Sequence, residues 1–458
     1  MTTSNRQDLK EKVIAQADQS VETLYRYLRL TSVSAQHLEI PETVQFVADL
    51  LKSVGGEVKI LDDLGGNPVI YGFFAAGSKG NANKTLLFYN HYDVQPPDPL
   101  DEWESEPFEP YLKDGILYAR GTADNKGSLM LRLAAIKALE QADGLPCNIK
   151  FLIEGEEEIG SPNLPRYLKE YAELFKADAC IWEFGSKDAQ ERVELYAGIK
   201  GSAYFELSTK SASIDIHSSL AAVIDNPAWR LVQALASMKN QNNDITVEGF
   251  FDEIEEPDEA LIEIVRALPF DKSGLTGPFG LTRPLITEAR GENPRDALML
   301  YPTMTICGMV SGYIGEGAKT VLPKEAKVKI DCRMVPGQTG EHLLTCFERH
   351  LARHGFSDVK VELIESQRAY RSDITDPFLH LVKKTAEEAY GSEAVLYPNS
   401  PGTGPMYQFN ECLHLPIVST GVGWAESKAH APNESIRMKD YVDGCLHMAY
   451  LLTDFAAE

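Results

Sequence analysis

Five short segments of this 458-residue chain bring histidine or carboxylate side chains to the ends of apolar runs. The first is His91-Tyr92-Asp93, which follows Leu86-Leu87-Phe88-Tyr89-Asn90. In extended backbone residues i and i+2 face the same side, and a ligating imidazole usually donates its second ring N–H to a carboxylate. Asp93 is therefore placed to orient His91. The second is Asp124 in Arg120-Gly121-Thr122-Ala123-Asp124-Asn125-Lys126-Gly127, just ahead of a helical pattern. The third, Glu154-Gly155-Glu156-Glu157-Glu158, ends the apolar run Ile149–Ile153, where clustered carboxylates repel one another unless a cation neutralises them. Glu183 follows Cys180-Ile181-Trp182, and His430 lies in Lys428-Ala429-His430-Ala431-Pro432-Asn433-Glu434. Singly, each has a bland counterpart: a hydrogen-bonded loop histidine, a helix-start carboxylate, a solvated acidic loop. Together, two imidazoles and three carboxylates form a nitrogen and oxygen donor set suited to Zn²⁺, Mn²⁺ or Co²⁺. Two ions need a shared carboxylate, and a spare acid can serve as general base. There is no G-x-S-x-G elbow, Walker loop or dinucleotide fingerprint after the first strand.

The elements that must position these residues can be read from hydrophobic spacing. Val21–Leu30 is helical, Thr85–Tyr89, Ile149–Ile153 and Ala179–Trp182 are buried strands, and Gly115–Ala119 is a short one. Leu129–Leu139 places Leu133, Ile136 and Leu139 on one helical face. Helices alternating with apolar strands predict an α/β sheet covered on both faces. After Gly201 the order becomes strand (Ala203–Thr209), helix (Pro227–Met238), strand (Pro302–Cys307), strand (Ala326–Cys332), helix (Gly340–Arg353) and strand (Val359–Ile364), that of a ferredoxin-like unit. A long insertion, Gln241–Leu300, carries an acidic block at Asp252–Glu259 that reads as a solvated loop. From Asp376 the first pattern returns, with a helix to Ala389, a strand Pro416–Ser419 and a helix Lys439–Phe455. The chain therefore reads as one discontinuous α/β domain interrupted by a smaller α+β domain.

Composition narrows the function classes. With 44 Lys+Arg against 68 Asp+Glu the formal charge is −24, which repels phosphate backbones and anionic membranes. A hydrophobic content of 43% with 24% charged residues fits a folded globular chain. Met1–Asp18 lacks the apolar run of a secretory signal, and no apolar stretch is long enough to span a bilayer. The 7 cysteines are scattered without a C-x-x-C pair, the pattern of small buried hydrophobes in a reducing compartment, so a cytoplasmic protein is expected.

The motifs in order resemble the M20 metallopeptidases, the aminoacylase, carboxypeptidase-G2 and carnosine-dipeptidase family. The resemblance runs over nearly the whole chain. It rests on Asn90–Pro96, Arg120-Gly121 with Asp124–Gly127, Glu157–Ser161, Asp215-Ile216-His217-Ser218, Gly317–Pro323 and Arg333–Pro336. It implies a zinc-peptidase-like α/β catalytic domain with a covered mixed sheet, residues 1–200 and 369–458, and an inserted ferredoxin-like lid and dimerisation domain, residues 201–368. It further implies that Asp124 bridges two zinc ions, one also held by His91 and Glu183, the other by Glu158 and His430, with Mn²⁺ or Co²⁺ as substitutes. Glu157 would be the general base, Asp93 would orient His91, and His217 of the partner subunit in a homodimer would stabilise the oxyanion. Arg333 would hold the substrate carboxylate, helped by Thr320 and Thr403. This sequence departs from the family pattern at Ala119 and Ser219, where glycine is usual, and at Glu183, where the dipeptidases generally have Asp. The long lid implies a dipeptidase and Glu183 a carboxypeptidase or N-acyl (or N-carbamoyl) amino acid hydrolase. A binding protein that has lost catalysis is the remaining alternative, and the presence of Glu157 beside a full ligand set argues against it.

Overall fold

The computed structural model describes residues 3–277 and 280–457, so Met1, Thr2, Pro278, Phe279 and Glu458, two of them inside the insertion, lie outside the described residues. Contacts divide the chain into two units: Met1–Gly198 with Ser372–Pro398 and Gly404–Glu458, and Ile199–Arg371 with Asn399–Thr403.

In the larger unit a mixed sheet runs in the order Glu57–Leu61, Val69–Phe74, Cys147–Glu154, Asn81–His91, Ala179–Trp182, Ile417–Ser419, Val193–Tyr196, Ala394–Tyr397. The strands Cys147–Glu154, Asn81–His91, Ala179–Trp182 and Ile417–Ser419 are mutually parallel, so their carboxyl ends lie along one edge. Leu86 to His91 are buried without a break, because both faces of the sheet are covered. One face packs Leu86 and Phe88 into a core shared with the helices Thr3–Leu28, Gly127–Ala142 and Met438–Phe455. On the other, Tyr89 and Trp182 stack 4.0 Å apart and both meet Phe409 of the helix Met406–Leu413 edge-on. The helix Gly127–Ala142 buries far more than the single face expected from Leu133, Ile136 and Leu139, with Met130, Leu131 and Arg132 buried as well. It is packed against both the N-terminal and C-terminal helices, so most of its circumference is buried and only its last turn, at Glu140 and Gln141, is exposed.

The smaller unit contains a four-stranded antiparallel sheet, Thr303–Ser311, Glu325–Met334, Gly201–Lys210, Lys360–Gln367. Numbered along the chain its strand order is 2-3-1-4, the ferredoxin-like arrangement. Phe205, Leu207, Val328 and Ile330 face the helices Pro227–Met238 and Gly340–Arg353 through Leu231, Leu343 and Phe347. Strict alternation of burial along Glu325–Met334 marks a sheet covered on one face. The strand expected over Pro302–Cys307 continues to Ser311 through an irregularity between Ile306 and Gly308. The acidic block is an irregular segment whose Asp258 caps the helix Glu259–Ala267 by accepting from Leu261 N at 2.8 Å.

Two expectations need correction. The segment Asn399–Thr403, given to the larger domain on sequence, belongs to the smaller unit: Asn399 Nδ2 donates to Met299 O at 2.8 Å, and Ile199 bridges Ser400. The cysteines are all free, but Cys307 is exposed on the edge strand and Cys412 is half-buried, so only the remaining five behave as buried hydrophobes.

Candidate metal centre

The parallel strands deliver the site. His91 is the last residue of its strand, Glu154 the last of the neighbouring strand, and Glu183 follows Trp182 on the next. Asp124 comes from the loop before the helix Gly127–Ala142, and His430 from a loop after Ile417–Ser419, where its φ is 64°. Convergence at the carboxyl edge of parallel strands is the usual way an open α/β sheet makes a site.

These residues form two triplets sharing one carboxylate: His91, Asp124 and Glu183, and Asp124, Glu158 and His430, each with its donor atoms within 4.8 Å of one another. Asp124 Oδ1 lies 3.0 Å from His91 Nε2, and Asp124 Oδ2 lies 3.0 Å from His430 Nε2. His430 Nε2 is also 3.2 Å from Glu158 Oε2. A carboxylate whose two oxygens face different histidines has the geometry of a bridge. Asp93 lies against His91, but its nearest contact differs from the expected one: the closest partner of Nδ1 is the Asp93 main-chain carbonyl at 2.9 Å, with the carboxylate Oδ1 at 3.4 Å. The carboxylate's other oxygen instead accepts from Glu158 N at 3.1 Å, so Asp93 touches both triplets.

Several residues without an expected role hydrogen-bond to the triplets or brace the segments around them. Gln95 Nε2 donates to Glu158 Oε2 at 2.9 Å, and Asn125 Nδ2 reaches Glu183 Oε2 at 3.5 Å while its Oδ1 accepts from Asn90 at 3.0 Å. The buried Arg132 guanidinium donates to Tyr89 O (2.7 Å), Asn90 Oδ1 (2.6 Å) and Trp182 O (2.6 Å), tying together the strand ends that carry His91 and Glu183. Glu156 accepts from Asn67 N and Asn163 Nδ2 and so has a supporting task, while Glu154 is held by Tyr89 Oη at 2.6 Å and Ser161 Oγ at 2.9 Å. Glu434 is buried against Arg120.

The electrostatics test whether the residues fit metal ions. Burial and the Asp124 carboxylate push Glu183 up to about 8. Glu158 is raised by burial and Asp124, and Glu157 is held well above the usual carboxylate range by burial together with Glu183, Glu158 and Asp124. His430 is pushed up to about 11 by its hydrogen bonds to Asp124 and Glu158. Against the burial that would raise it, Asp124 is held low by His430 and His91. Ionised together, the four carboxylates carry four negative charges, which two divalent cations would neutralise with both imidazoles neutral. The donor set, the bridge and the charge balance all fit a pair of borderline-to-hard divalent ions.

The remaining expected residues lie in the smaller unit. Arg333 Nη1 donates to Thr403 Oγ1 at 2.8 Å and Nε to Asp331 Oδ2 at 3.0 Å, so Arg333 and Thr403 are brought together. Ile216-His217 pairs with Val321-Leu322, and Ser218 N donates to Thr320 O at 3.1 Å, which places His217 beside the Thr320 segment. The His217 ring is exposed, and its Nδ1 accepts from Ser219 N at 3.1 Å. A main-chain N–H can only donate, so the neutral ring carries its proton on Nε2, leaving that atom as a donor.

Residues 87–454 match the family model described as Peptidase family M20/M25/M40. Among curated proteins, the chain is 26% identical to the Beta-Ala-His dipeptidase of Homo sapiens, over 96% of this chain and 90% of that protein. It is 25% identical to a Cys-Gly metallodipeptidase of Schizosaccharomyces pombe, over 95% of each. Among solved structures, it is similar to an M20 family metallo-carboxypeptidase from Sulfolobus solfataricus with a TM-score of 0.87 and 34% identity, over 96% of this chain and 99% of that one.

Proposed function

The chain belongs to the M20/M25/M40 peptidase family, and from that premise we propose that it hydrolyses the amide bond of dipeptides or small peptides bearing a free carboxylate. The observation that carries this reading is Asp124 offering one oxygen to each of two histidines, with Glu157 directly before Glu158 and raised by burial and by carboxylates of both triplets, Glu183, Glu158 and Asp124. Two divalent ions, zinc above manganese or cobalt, held by His91, Asp124 and Glu183 and by Asp124, Glu158 and His430, would polarise the amide carbonyl and make water acidic enough to attack at neutral pH. Glu157 takes the proton from the attacking water and returns it to the leaving amine. Asp93 keeps the His91 ring aligned and the Glu158 main chain in place. His217 Nε2–H donates to the oxyanion, from the partner subunit of a homodimer formed through the smaller domain, which serves as lid. Arg333, with Thr403 and Thr320, grips the substrate carboxylate, a task suited to a guanidinium fork. The free cysteines are consistent with a cytoplasmic setting, and among the described residues no helix is long and apolar enough to cross a membrane.

A second reading, a carboxypeptidase or N-acyl amino acid hydrolase, is favoured by Glu183 and by the carboxypeptidase name of the 34%-identical Sulfolobus structure. The discriminating experiment loads the protein with Zn²⁺ or Mn²⁺ and follows matched panels of dipeptides and N-acyl amino acids by mass spectrometry, across a dilution series that dissociates dimers. Dipeptide cleavage that falls about 10²–10⁴-fold in Glu157→Gln, and falls on dilution, is the expected result. Cleavage of acylated substrates alone selects the second reading. No cleavage by the doubly loaded wild type sinks both.

A further inference from the structure

Glu434 ends the motif that carries His430, and no step of the proposed reaction uses it. Its side chain is fully buried. Oε2 accepts from Arg120 Nη1 at 2.7 Å and from Gly121 N at 2.9 Å, and Oε1 accepts from Ala123 N at 2.8 Å and Asp124 N at 3.0 Å. Three of these donors are main-chain amides of the loop that presents Asp124, so the carboxylate sits as an internal anion in a cradle made by that loop. With every oxygen satisfied, the burial of its charge is compensated. The Glu434 carbonyl accepts from Ala119 N at 3.1 Å, and Ser435 and Ile436 pair with Tyr118 and Leu117. One residue thus fixes the start of the Asp124 loop and the end of the His430 loop.

The two triplets depend on this clamp unequally. His91 sits at the end of a strand and Glu183 directly follows one, both held by the sheet. His430 is four residues from Glu434 on a loop, with its side chain 53% exposed, and its immediate support is a turn from Ala431 N to Lys428 O at 2.9 Å. We propose that Glu434 is a positioning residue of the metal centre: it sets the spacing between Asp124 and His430, and so tunes the ion at Asp124, Glu158 and His430 more than the ion at His91, Asp124 and Glu183. The inference rests on the two-ion reading above.

The test titrates Co²⁺ into metal-free wild type, Glu434→Gln and Glu434→Asp, following ion stoichiometry and the visible absorption bands. His430→Ala identifies the band belonging to the second triplet. Glutamine keeps the shape but turns an amide NH₂ towards groups that only donate, and aspartate keeps the charge but retracts it by one methylene. Glu434→Gln is expected to weaken the second ion about 10–100-fold, with the other ion near its wild-type affinity. Excess metal should then restore kcat, which a globally misfolded variant would not allow. Glu434→Asp should fall between the two. On wild type alone, hydrogen exchange should show peptides spanning 118–126 and 428–436 gaining protection together as the second ion loads. Unchanged binding in Glu434→Gln, equal loss of both ions, or protection confined to 428–436 would overturn the proposal. A wild type that never binds two ions overturns the metal-centre reading itself, and this role with it.

Discussion

His91 and His430 present the same atom, Nε2, to opposite oxygens of one carboxylate at the same 3.0 Å, yet the first imidazole is completely buried and the second is 53% exposed. The buried side is framed by parallel strands, the Asp93 carbonyl and the Arg132 guanidinium, all fixed by the core of the larger unit. The open side is a loop held by Glu434, with Glu158 anchored through Gln95 and Asp93. Two triplets made from the same residue types can thus differ in what builds them: one is a product of the fold, the other of local hydrogen bonding. The buried set should be rigid and slow to exchange its ion, and the open set the more readily emptied.

The strongest challenge to that contrast is the residue common to both sides. Asp124→Asn should lower turnover about 10³-fold or more, since several kcal/mol of barrier depend on both ions, and should leave at most one bound ion by elemental analysis. Two ions retained with near-normal turnover would mean that the sides do not share a bridge. A smaller effect separates them. In chelator-treated protein, His91→Ala should cost about 2–4 kcal/mol in urea unfolding, because it opens a cavity among buried carboxylates, whereas His430→Ala should cost about 1 kcal/mol or less. Equal losses would erase the distinction between fold-built and loop-built sides.

A further effect, spread gradually over pH, concerns acid. His447, in the C-terminal helix, is buried and driven down to about 4 by burial, opposed by its contact with the Val382 carbonyl. Its Nδ1 lies 3.5 Å from Thr420 Oγ1, and the Thr420 carbonyl accepts from Arg132 at 3.2 Å, so it supports the buried side. Unfolded histidine titrates near 6.5, so between pH 6.5 and 4 the unfolded chain takes up a proton that the native chain refuses. Stability therefore declines as pH falls through this window, by about 3 kcal/mol when complete below pH 4. His447→Gln should flatten that limb of the urea-stability profile, and an unchanged slope would remove His447 from the account.

Much of this arrangement was legible in the sequence, for physical reasons. The helices Pro227–Met238 and Gly340–Arg353 and the strand Ala179–Trp182 coincide with their expected bounds, because an apolar stripe or run bounded by turn residues admits few alternatives. His91 and Glu183 were visible as polar groups at or directly after the ends of buried strands, where a sheet edge must open, whereas Asp124, Glu158 and His430 stood out only as members of short polar motifs. Gln95, Asn125 and Glu434 lie inside the motifs, but their types gave no sign of their bonding, since a polar side chain in a polar loop looks the same whether solvated or buried. Arg132 did leave one: a charged residue inside the run Leu129–Leu139 demands partners, and it finds them in strand-end carbonyls. The Asp93 carbonyl could not be anticipated from side-chain types at all.

The sheet order also sets a timetable for synthesis. The strand Ile417–Ser419 lies between Ala179–Trp182 and Val193–Tyr196, both made more than 200 residues earlier, so the larger unit keeps unpaired strand edges until its last fifth leaves the ribosome. The four strands of the smaller sheet, by contrast, are all made by Gln367. The inserted unit can form its sheet while its host is still open, and the nascent chain must shelter apolar edges throughout that interval. His430 arrives only after the closing strand, so a prematurely terminated chain would carry His91, Asp124 and Glu183 without the second histidine.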